Sequence, residues 1–418
     1  MNTNIRSLLG ALSKILNLIN PEMQYHHEQT AYLAYQIARK LGLDEEALYL
    51  VLNASLLQDI GDVAVLPQGQ MSFQEEETQE ERQRIARIGA NMLRDIDGFQ
   101  DVAYIIEVNQ DPYSGYRNTL PLFLLNREAQ IIHLADFVAS ALRKDTAVLN
   151  QVKRIVAEAE ELSGTEFCPD AVTTLKEISD MEYLWMDLSL NPTYVFAQLG
   201  PLRIVPLEKL VIFTSLISRV IDFRSPFTAM HSAGVAATAR ELARLSGMMQ
   251  EECLMMEAAG NLHDIGKLRV PNSILEKPGK LTEEEFNVMR EHPYYTSMIL
   301  QDVEGFEKIA KWAAYHHEKL NGKGYPFHLR AEELDEGCRI MAVADIFSAI
   351  TEVRPYRKGM NKKQAQKVLM ENAERGEICK KTVDLLMSHY DEVDAVREKK
   401  SREIGKRYYA SLGLEEPD

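Results

Sequence analysis

Residues 257–271 read EAAGNLHDIGKLRVP, and the adjacent pair His263 and Asp264 at the centre of this stretch organises the interpretation of the whole chain. An imidazole beside a carboxylate offers a metal ion nitrogen and oxygen ligands, a mixture that suits first-row ions such as iron or manganese. On its own, a His-Asp pair more often marks a helix end that satisfies its own hydrogen bonds. The meaning of the pair therefore depends on the rest of the sequence.

The composition is that of a soluble globular protein with two to three domains: 418 residues, 45% hydrophobic and 26% charged. A formal charge of −16 disfavours binding to polymeric nucleic acid or to anionic membranes. Residues 5–19 are predicted to form an amphipathic helix, not a signal peptide or a membrane span. Four cysteines without CxxC spacing argue against a disulfide framework. We expect a cytoplasmic protein that does not use a membrane.

The hydrophobic pattern predicts an all-α fold. Apolar residues recur at three- and four-residue intervals, as in AYLAYQIARKLGL (residues 31–43) and KLVIFTSLISRVI (residues 209–221). Helix-end signals agree with this pattern: Thr282 and Glu285 form a potential capping box, and Gly376 follows a predicted helix that begins after Asn361.

An internal repeat divides the chain into two copies of one helical domain. LLQDIGD (residues 56–62) matches NLHDIGK (residues 261–267), 205 positions later. GFQDVAYIIEVNQ (residues 98–110) matches GFEKIAKWAAYHH (residues 305–317), 207 positions later. SGY at 114–116 matches KGY at 323–325 with a shift of 209, and small loop insertions explain this drift. We expect a degenerate first copy with a helical connector at 1–200 and a catalytic copy at 201–418.

The two copies differ where chemistry would occur. Half of the ten histidines fall within residues 231–317, and a chance explanation would require five unrelated histidines there. The following residues of the second copy are candidates for chemistry: His231, His263, Asp264, Lys267, His292, His316, His317 and Asp345. Their counterparts in the first copy are, in the same order, His26, Gln58, Asp59, Asp62, Ile85, Asn109, Gln110 and Asp136. The first copy keeps the scaffold and has lost most of the potential ligands.

These motifs together resemble the HD-GYP family of the HD superfamily, the metal-dependent phosphodiesterases of bacterial cyclic dinucleotides. The resemblance lies in HDIGK (263–267), HP (292–293), HHE (316–318), GKGYP (322–326), ADIFSA (344–349) and RPYR (354–357). It covers about residues 210–400 closely, and the first copy looks like a degenerate HD domain. One departure is Asn321, where the family usually has an aspartate.

The resemblance implies a two-metal centre with iron or manganese. One ion would bind His231, His263, Asp264 and Asp345, and the other would bind Asp264, His292, His316 and His317, so that Asp264 bridges the two ions. Some family members hold a third metal through an acidic residue one turn before the first histidine. That position is Phe227 here, which predicts a binuclear site.

The resemblance also implies substrate contacts. Lys267 can direct its ammonium group at a phosphate, and Gly324 and Tyr325 belong to a loop that contacts substrate in the family. Arg354 and Arg357 fit the role of cations that follow the ADxxxA helix, although RPYRK could equally be a solvated loop. Glu318 is expected to orient a ligand histidine from behind it.

The leading functional hypothesis is hydrolysis of cyclic di-GMP to pGpG, and onward to GMP, by a metal-activated hydroxide. Cyclic GMP-AMP is a competing substrate, because phosphates and metals do not distinguish adenine from guanine. A second class of function is a non-catalytic cyclic dinucleotide receptor or scaffold in signal transduction. For the first copy, the partners considered are a second copy of the chain, as in a homodimer, and a signalling protein.

Overall fold

A computed structural model describes residues 3–4, 7–8, 10–11, 14–15, 25–61, 78–94, 96, 98–115, 123–190, 199, 204–222, 226–275, 277, 279–352 and 358–411. The chain divides into two compact units, residues 4–203 and residues 204–418, and the second unit also includes residues 1–3. Each unit is built of helices, and the predicted all-α class is confirmed. The described strands, β1 (Thr3–Asn4) and β2 (Ile204–Val205), have two residues each.

The first unit contains eight described α-helices. In chain order they are α1 (His26–Lys40), α2 (Glu45–Leu57), α3 (Gln79–Arg94), α4 (Gln100–Val108), α5 (Phe123–Ala141), α6 (Val152–Glu161), α7 (Pro169–Ser179) and α8 (Glu182–Leu190). Two 3-10 turns lie at Tyr113–Gly115 and Val148–Asn150. Helix α1 packs against α2, α5 and α7, so it lies at the centre of this unit.

The second unit contains eleven described α-helices. They are α9 (Leu207–Asp222), α10 (Pro226–Leu245), α11 (Gln250–Leu262), α12 (Asn272–Leu275), α13 (Glu283–Met289), α14 (His292–Leu300), α15 (Glu307–Ala314), α16 (Glu336–Thr351), α17 (Lys362–Glu374), α18 (Lys380–Ser388) and α19 (Tyr390–Ser411). A 3-10 helix at Ile265–Arg269 follows α11. Helix α10 packs against α9, α11, α16 and α19.

The helix ends follow the sequence signals. The side chain of Thr282 accepts a hydrogen bond from the backbone of Glu285, and the Glu285 side chain returns one, so the predicted capping box is confirmed. Asn361 caps α17 in the same way, with Gln364 as its partner. Gly376 has a φ of 65°, the left-handed conformation that ends a helix at low cost in glycine.

The internal repeat is visible in the backbone. Gly42 follows α1 and Gly247 follows α10, with φ angles of 74° and 88°. Gly98 and Gly305 precede α4 and α15 with φ angles of 85° and 83°. Both pairs keep the sequence shifts of the repeat, 205 and 207 positions, so turns at matching positions of the two units have the same backbone conformation.

The predicted amphipathic helix over residues 5–19 lies largely outside the described residues. In the described part, no helix combines the length and the apolar character that crossing a membrane requires.

Candidate metal centre

The second unit brings its seven predicted metal ligands together. Helix α10 carries His231, α14 begins at His292, and α16 carries Asp345, whereas the others follow the ends of α11 and α15. The ligands form two groups of three residues, and within each group one ligand atom per residue lies within 4.8 Å of the others. The first group is His292, His316 and His317, and the second is His231, His263 and Asp264. Residues separated by more than 100 positions thus converge on one point.

Three of the histidines share one orientation. In His263, His292 and His316, Nδ1 lies 2.7–2.8 Å from the backbone carbonyl oxygen three residues earlier. This contact fixes the proton on Nδ1 and leaves a lone pair on Nε2. The Nε2 atoms of His292 and His316 lie only 3.3 Å apart. Two facing lone pairs repel each other, and a cation bound to both removes the repulsion.

Asp264 lies between His263 of its own group and the histidines of the other group. Its Oδ1 is 3.3 Å from Nε2 of His292 and 3.8 Å from Nε2 of His316. Its Oδ2 is 3.2 Å from Nε2 of His263. The two oxygens therefore face different histidines, which is the geometry expected of a carboxylate that bridges two ions.

Asp345 lies near His231 and His317, and also near His263. Its Oδ1 lies 3.2 Å from Nε2 of His231 and 3.9 Å from Nε2 of His263, and its Oδ2 lies 3.9 Å from Nδ1 of His317. The other ring nitrogen of His231 lies 3.5 Å from a carboxylate oxygen of buried Glu352. The sequence analysis missed Glu352, which orients His231 from behind.

Burial and neighbouring charges shift the pKa values of the side chains in the candidate centre. Burial lowers the pKa of His317 to about 3 and also lowers the pKa of His316 well below its usual range. Burial opposes ionisation of Asp264, but His263 and Lys267 outweigh it and hold the carboxyl pKa well below its usual range. His231 differs: hydrogen bonds with carboxylates outweigh burial and raise its pKa to about 9.

The donor set fits divalent metal ions. Among the described residues, Nε2 of His263 and Oδ1 of Asp264 are buried without a hydrogen-bond partner. Buried polar atoms of this kind normally have a partner, and an ion supplies one. Five imidazoles with two carboxylates match the ligand preferences of first-row transition metals.

Glycines allow the ligand-bearing segments to approach one another. A Cβ atom on Gly266 would overlap the backbone oxygen of His292, so only glycine permits this contact between the HDIGK turn and α14. The Thr296 hydroxyl strengthens the contact, since it accepts from the Gly266 N–H and donates to the His263 carbonyl. A Cβ atom on Gly324 would likewise overlap the backbone of Glu318 and Lys319.

Lys267 lies in the 3-10 helix after α11 and not on a continuation of α11. Its Nζ donates to Oδ2 of Asp264 over 2.5 Å. The ammonium group is therefore within the candidate centre, three residues from Asp264 in the chain. It is the one predicted substrate cation that falls within the described residues.

A cavity of about 340 Å³ that is open to the surface lies beside the candidate centre, and its volume is at the low end of the range of small-molecule sites. Tyr325 lines it, and the Tyr325 ring lies 4.9 Å from the ring of His317. The Arg290 guanidinium lies 5.2 Å from the centroid of the Tyr325 ring and also lines the cavity, beside Tyr294. Sequence reasoning missed Arg290 and Tyr294, because no motif contains them.

Glu318 is buried and holds the loop after Tyr325. Its two carboxylate oxygens accept hydrogen bonds from the backbone N–H groups of Phe327 (2.7 Å) and Leu329 (3.0 Å). These partners belong to the loop, whereas the sequence analysis expected a histidine as the partner. Asn321 also serves the loop, since its side chain accepts from the Lys323 N–H.

Arg354 and Arg357, predicted to contact substrate, lie outside the described residues, as does the side chain of Phe227.

Comparison with known proteins identifies the family. Models of the HD domain match residues 23–163 and, separately, residues 215–378. The chain belongs to the HD-domain family. The resemblance inferred from the sequence, with two HD domains in tandem, is therefore confirmed.

Three similar proteins are informative. A 3′3′-cGAMP-specific phosphodiesterase of Vibrio cholerae is 29% identical over 403 residues, which are 92% of each chain. A cyclic di-GMP phosphodiesterase of Pseudomonas aeruginosa is 43% identical over 142 residues, 33% of this chain and 34% of that protein. The crystal structure of a cyclic GMP-AMP-specific phosphodiesterase of Vibrio cholerae has 23% identity and a TM-score of 0.63, and covers 94% of this chain and 98% of that chain. This last likeness is one of fold.

Proposed function

We propose that this protein is a phosphodiesterase that hydrolyses a cyclic dinucleotide at a two-metal centre in its second HD domain. The observation that carries the proposal is the convergence of five histidines and two aspartates around Asp264, whose two oxygens face different histidines. Both named phosphodiesterases among the relatives support the substrate class. In this proposal residues 1–200 form a degenerate domain with its connector and residues 201–418 the catalytic domain.

The proposed ligands divide as the sequence resemblance implies. His231, His263, Asp264 and Asp345 would hold one ion, and Asp264, His292, His316 and His317 the other. Bound there, two divalent ions, with iron or manganese as the proposed metals, would supply an activated water and neutralise charge on the phosphoryl oxygens. Glu352 and the backbone carbonyls fix the imidazole orientations, so the ligands need little rearrangement.

The substrate phosphates meet positive charge only locally, because the chain carries a formal charge of −16. Lys267 is close enough to Asp264 for its ammonium group to contact a phosphate held at the centre. Arg290 and Tyr325 line the adjoining cavity and offer a cation and an aromatic face to a phosphate and a base. We keep Gly324, Arg354 and Arg357 as further proposed substrate residues.

We favour 3′3′-cyclic GMP-AMP as the substrate, although the sequence alone ranked cyclic di-GMP first. The relative that aligns over 92% of both chains is named for cyclic GMP-AMP. Cyclic di-GMP, with pGpG as product, is the second candidate, because the relative named for it has a higher identity, 43%, across a shorter segment. A cytoplasmic location and a role of the first domain in dimerisation or signalling stay predictions.

Turnover of both cyclic dinucleotides by the full chain, purified without oxygen and loaded with iron(II) or manganese(II), tests the proposal. Wild type is expected to linearise at least one of them, with cyclic GMP-AMP faster. Asp264→Asn removes the negative charge and one of the two oxygens of the shared ligand, and is expected to lower kcat by about 10³-fold or more. The control is Asp302→Asn, which changes an exposed aspartate of the same unit and should keep full activity.

If metal-loaded wild type leaves both compounds intact, the catalytic proposal is wrong. Binding of either compound without turnover would instead support the receptor hypothesis.

A further inference from the structure

We propose that the first HD domain binds one divalent cation of its own, through His26, Asp59 and Asp136, with His27 beside them. The site is separate from the candidate centre of the second unit, since all four residues belong to the first unit. Its ligand chemistry, oxygen-rich with imidazole, fits manganese(II). The proposal is independent of whether the second domain is an enzyme.

Three side chains form the geometric core of this site. His26 begins α1, Asp59 follows α2, and Asp136 lies on α5. Nε2 of His26 is 2.8 Å from Oδ1 of Asp136 and 4.0 Å from Oδ2 of Asp59. One ligand atom from each residue lies within 4.8 Å of the others. Ligands on one ion at about 2.1 Å have separations of about 3–4 Å, so small side-chain movements would suffice.

Within the described part of the chain, His27 adds a buried nitrogen without a hydrogen-bond partner to the cluster. Its side chain is buried, and its Nδ1 makes no hydrogen bond among the described residues. This nitrogen nevertheless lies 3.2 Å from Oδ2 of Asp59. In the tautomer that carries its proton on Nε2, the Nδ1 lone pair of His27 and the carboxylate of Asp59 could bind one cation together.

The charge of the pocket also favours a cation. Within the described residues, the ion pairs of Asp59 and Asp136 are formed with histidines alone, not with lysine or arginine. Lys267 reaches Asp264 in the second copy, but the matching position in the first copy is Asp62, which lies outside the described residues. Two carboxylates without a lysine or arginine partner form a stronger divalent-cation site than the same pair neutralised by lysine.

Gln58 is the counterpart of His263 in the first copy, and its side chain contacts the carboxylates of both Asp59 and Asp136. Its Nε2 donates to Oδ1 of Asp136 over 2.6 Å and to Oδ2 of Asp59 over 3.4 Å. Its Oε1 accepts from Asn109 over 3.3 Å. A half-turn of the terminal amide would present Oε1 to an ion. Gln58 could therefore serve as a neutral ligand through Oε1.

The first domain should bind one ion, not two. The counterparts of His292, His316 and His317 are Ile85, Asn109 and Gln110, which offer no imidazole for a second ion. Gly61 packs against the backbone of Ile85 as Gly266 packs against that of His292. In both cases a Cβ atom on the glycine would overlap the backbone oxygen of the partner residue. The equivalence of these positions in space therefore supports the assignment.

Manganese(II) binding by the full chain, measured by equilibrium dialysis without oxygen, tests this inference. Asp136→Asn and Asp59→Asn are each expected to bind one ion fewer per chain than wild type. The control Asp111→Asn changes a half-buried aspartate of the same unit and should leave the ion count unchanged. This difference of one ion does not depend on how many ions the second domain holds, so it is separable from the proposed function.

Gln58→His gives the opposite change. It restores the second histidine of the HD pair and is expected to tighten manganese(II) binding at this site about tenfold, measured by electron paramagnetic resonance of the free ion. If circular dichroism shows that Asp136→Asn or Asp59→Asn does not fold, the manganese(II) affinity of Gln58→His tests the proposed site instead. Equal ion counts in wild type and both folded aspartate variants, or an unchanged affinity in Gln58→His, would overturn the proposal.

Discussion

At the scale of single residues, Asp264 is distinguished from Asp59 by what surrounds it. Asp264 faces three imidazoles and a lysine ammonium, whereas Asp59 faces two imidazoles and an amide. The internal repeat predicted this contrast from the sequence, since QDIGD at 58–62 aligns with HDIGK at 263–267. The ligand role of His263 and Asp264 could be predicted because the first copy keeps the surrounding motif but has glutamine in place of the histidine.

Glu318 illustrates the opposite case at this scale. The sequence placed it after two candidate ligands, and a role behind a histidine was the natural expectation. The carboxylate instead accepts two backbone N–H groups, nine and eleven residues later. Nothing in the HHE motif encodes the path of that loop. Glu352 and Arg290 were missed for the same reason, because their partners are 121 and 35 residues away in the chain.

We expect Glu318→Gln to loosen the loop after Tyr325 without removing metal from the candidate centre. Its amide nitrogen would face a backbone N–H donor, so one buried hydrogen bond is lost at a cost of about 1–3 kcal/mol. KM for the cyclic dinucleotide should rise about tenfold, whereas the manganese content per chain stays that of wild type. The matched control is Glu333→Gln, since Glu333 is exposed and accepts from the Arg330 N–H in the same loop. A loss of metal from Glu318→Gln would show that it supports a ligand histidine instead.

At the scale of helices, periodicity and caps predicted most of the structure, because these signals are local. The capping boxes at Thr282 and Asn361 lie where the sequence put helix starts. The sequence did not reveal that α3 of the first copy is one helix whereas its counterpart is divided into α13 and α14. This break sets His292 at the first residue of α14, with Pro293 in the first turn of the new helix, where the missing backbone N–H of proline is tolerated.

Gly266→Ala is expected to disrupt the packing of the HDIGK turn against α14. The new methyl group would overlap the backbone oxygen of His292, and two backbones can separate only by moving the histidine away from Asp264. Manganese(II) binding to the second domain should fall by one ion or more, with a loss of stability of about 1–3 kcal/mol. The control is Gly405→Ala in helix α19. Its methyl group would meet only the flexible side chain of Met230, which belongs to α10. That substitution should keep metal content and should not destabilise the helix.

If Gly266→Ala retains the wild-type ion count, the close contact between the turn and α14 does not set the position of His292.

At the scale of the whole molecule, the number of units and their internal helix order followed from the repeat. The positive-φ glycines at 42 and 247 and at 98 and 305 show that turn geometry was duplicated together with the hydrophobic pattern. The division of the chain into residues 4–203 and 204–418 depends on tertiary contacts, which a periodic pattern does not contain. Buried polar groups such as Glu128 were equally invisible to it, because burial is a property of the folded unit.

Glu128 makes the stability of the first unit depend on pH. Its carboxyl group is 4% exposed, and one of its oxygens has no hydrogen-bond partner among the described residues. Burial raises its pKa from 4.5 to about 7. Between these two values the unfolded chain loses its proton while the folded unit keeps it, so stability falls as pH rises from about 4.5 to 7.

We therefore expect Glu128→Gln to stabilise the first unit at pH 8 by about 2–3 kcal/mol relative to wild type, and by less than about 1 kcal/mol at pH 5. The neutral amide keeps the shape of the side chain and removes the cost of a buried charge. Thermal unfolding of the full chain at both pH values, followed by circular dichroism, measures the change. In the control Glu161→Gln, an exposed carboxylate of the same unit is neutralised, and the difference between the two pH values should stay that of wild type. An equal effect of Glu128→Gln at pH 5 and pH 8 would mean that this carboxyl group does not change its ionisation on folding.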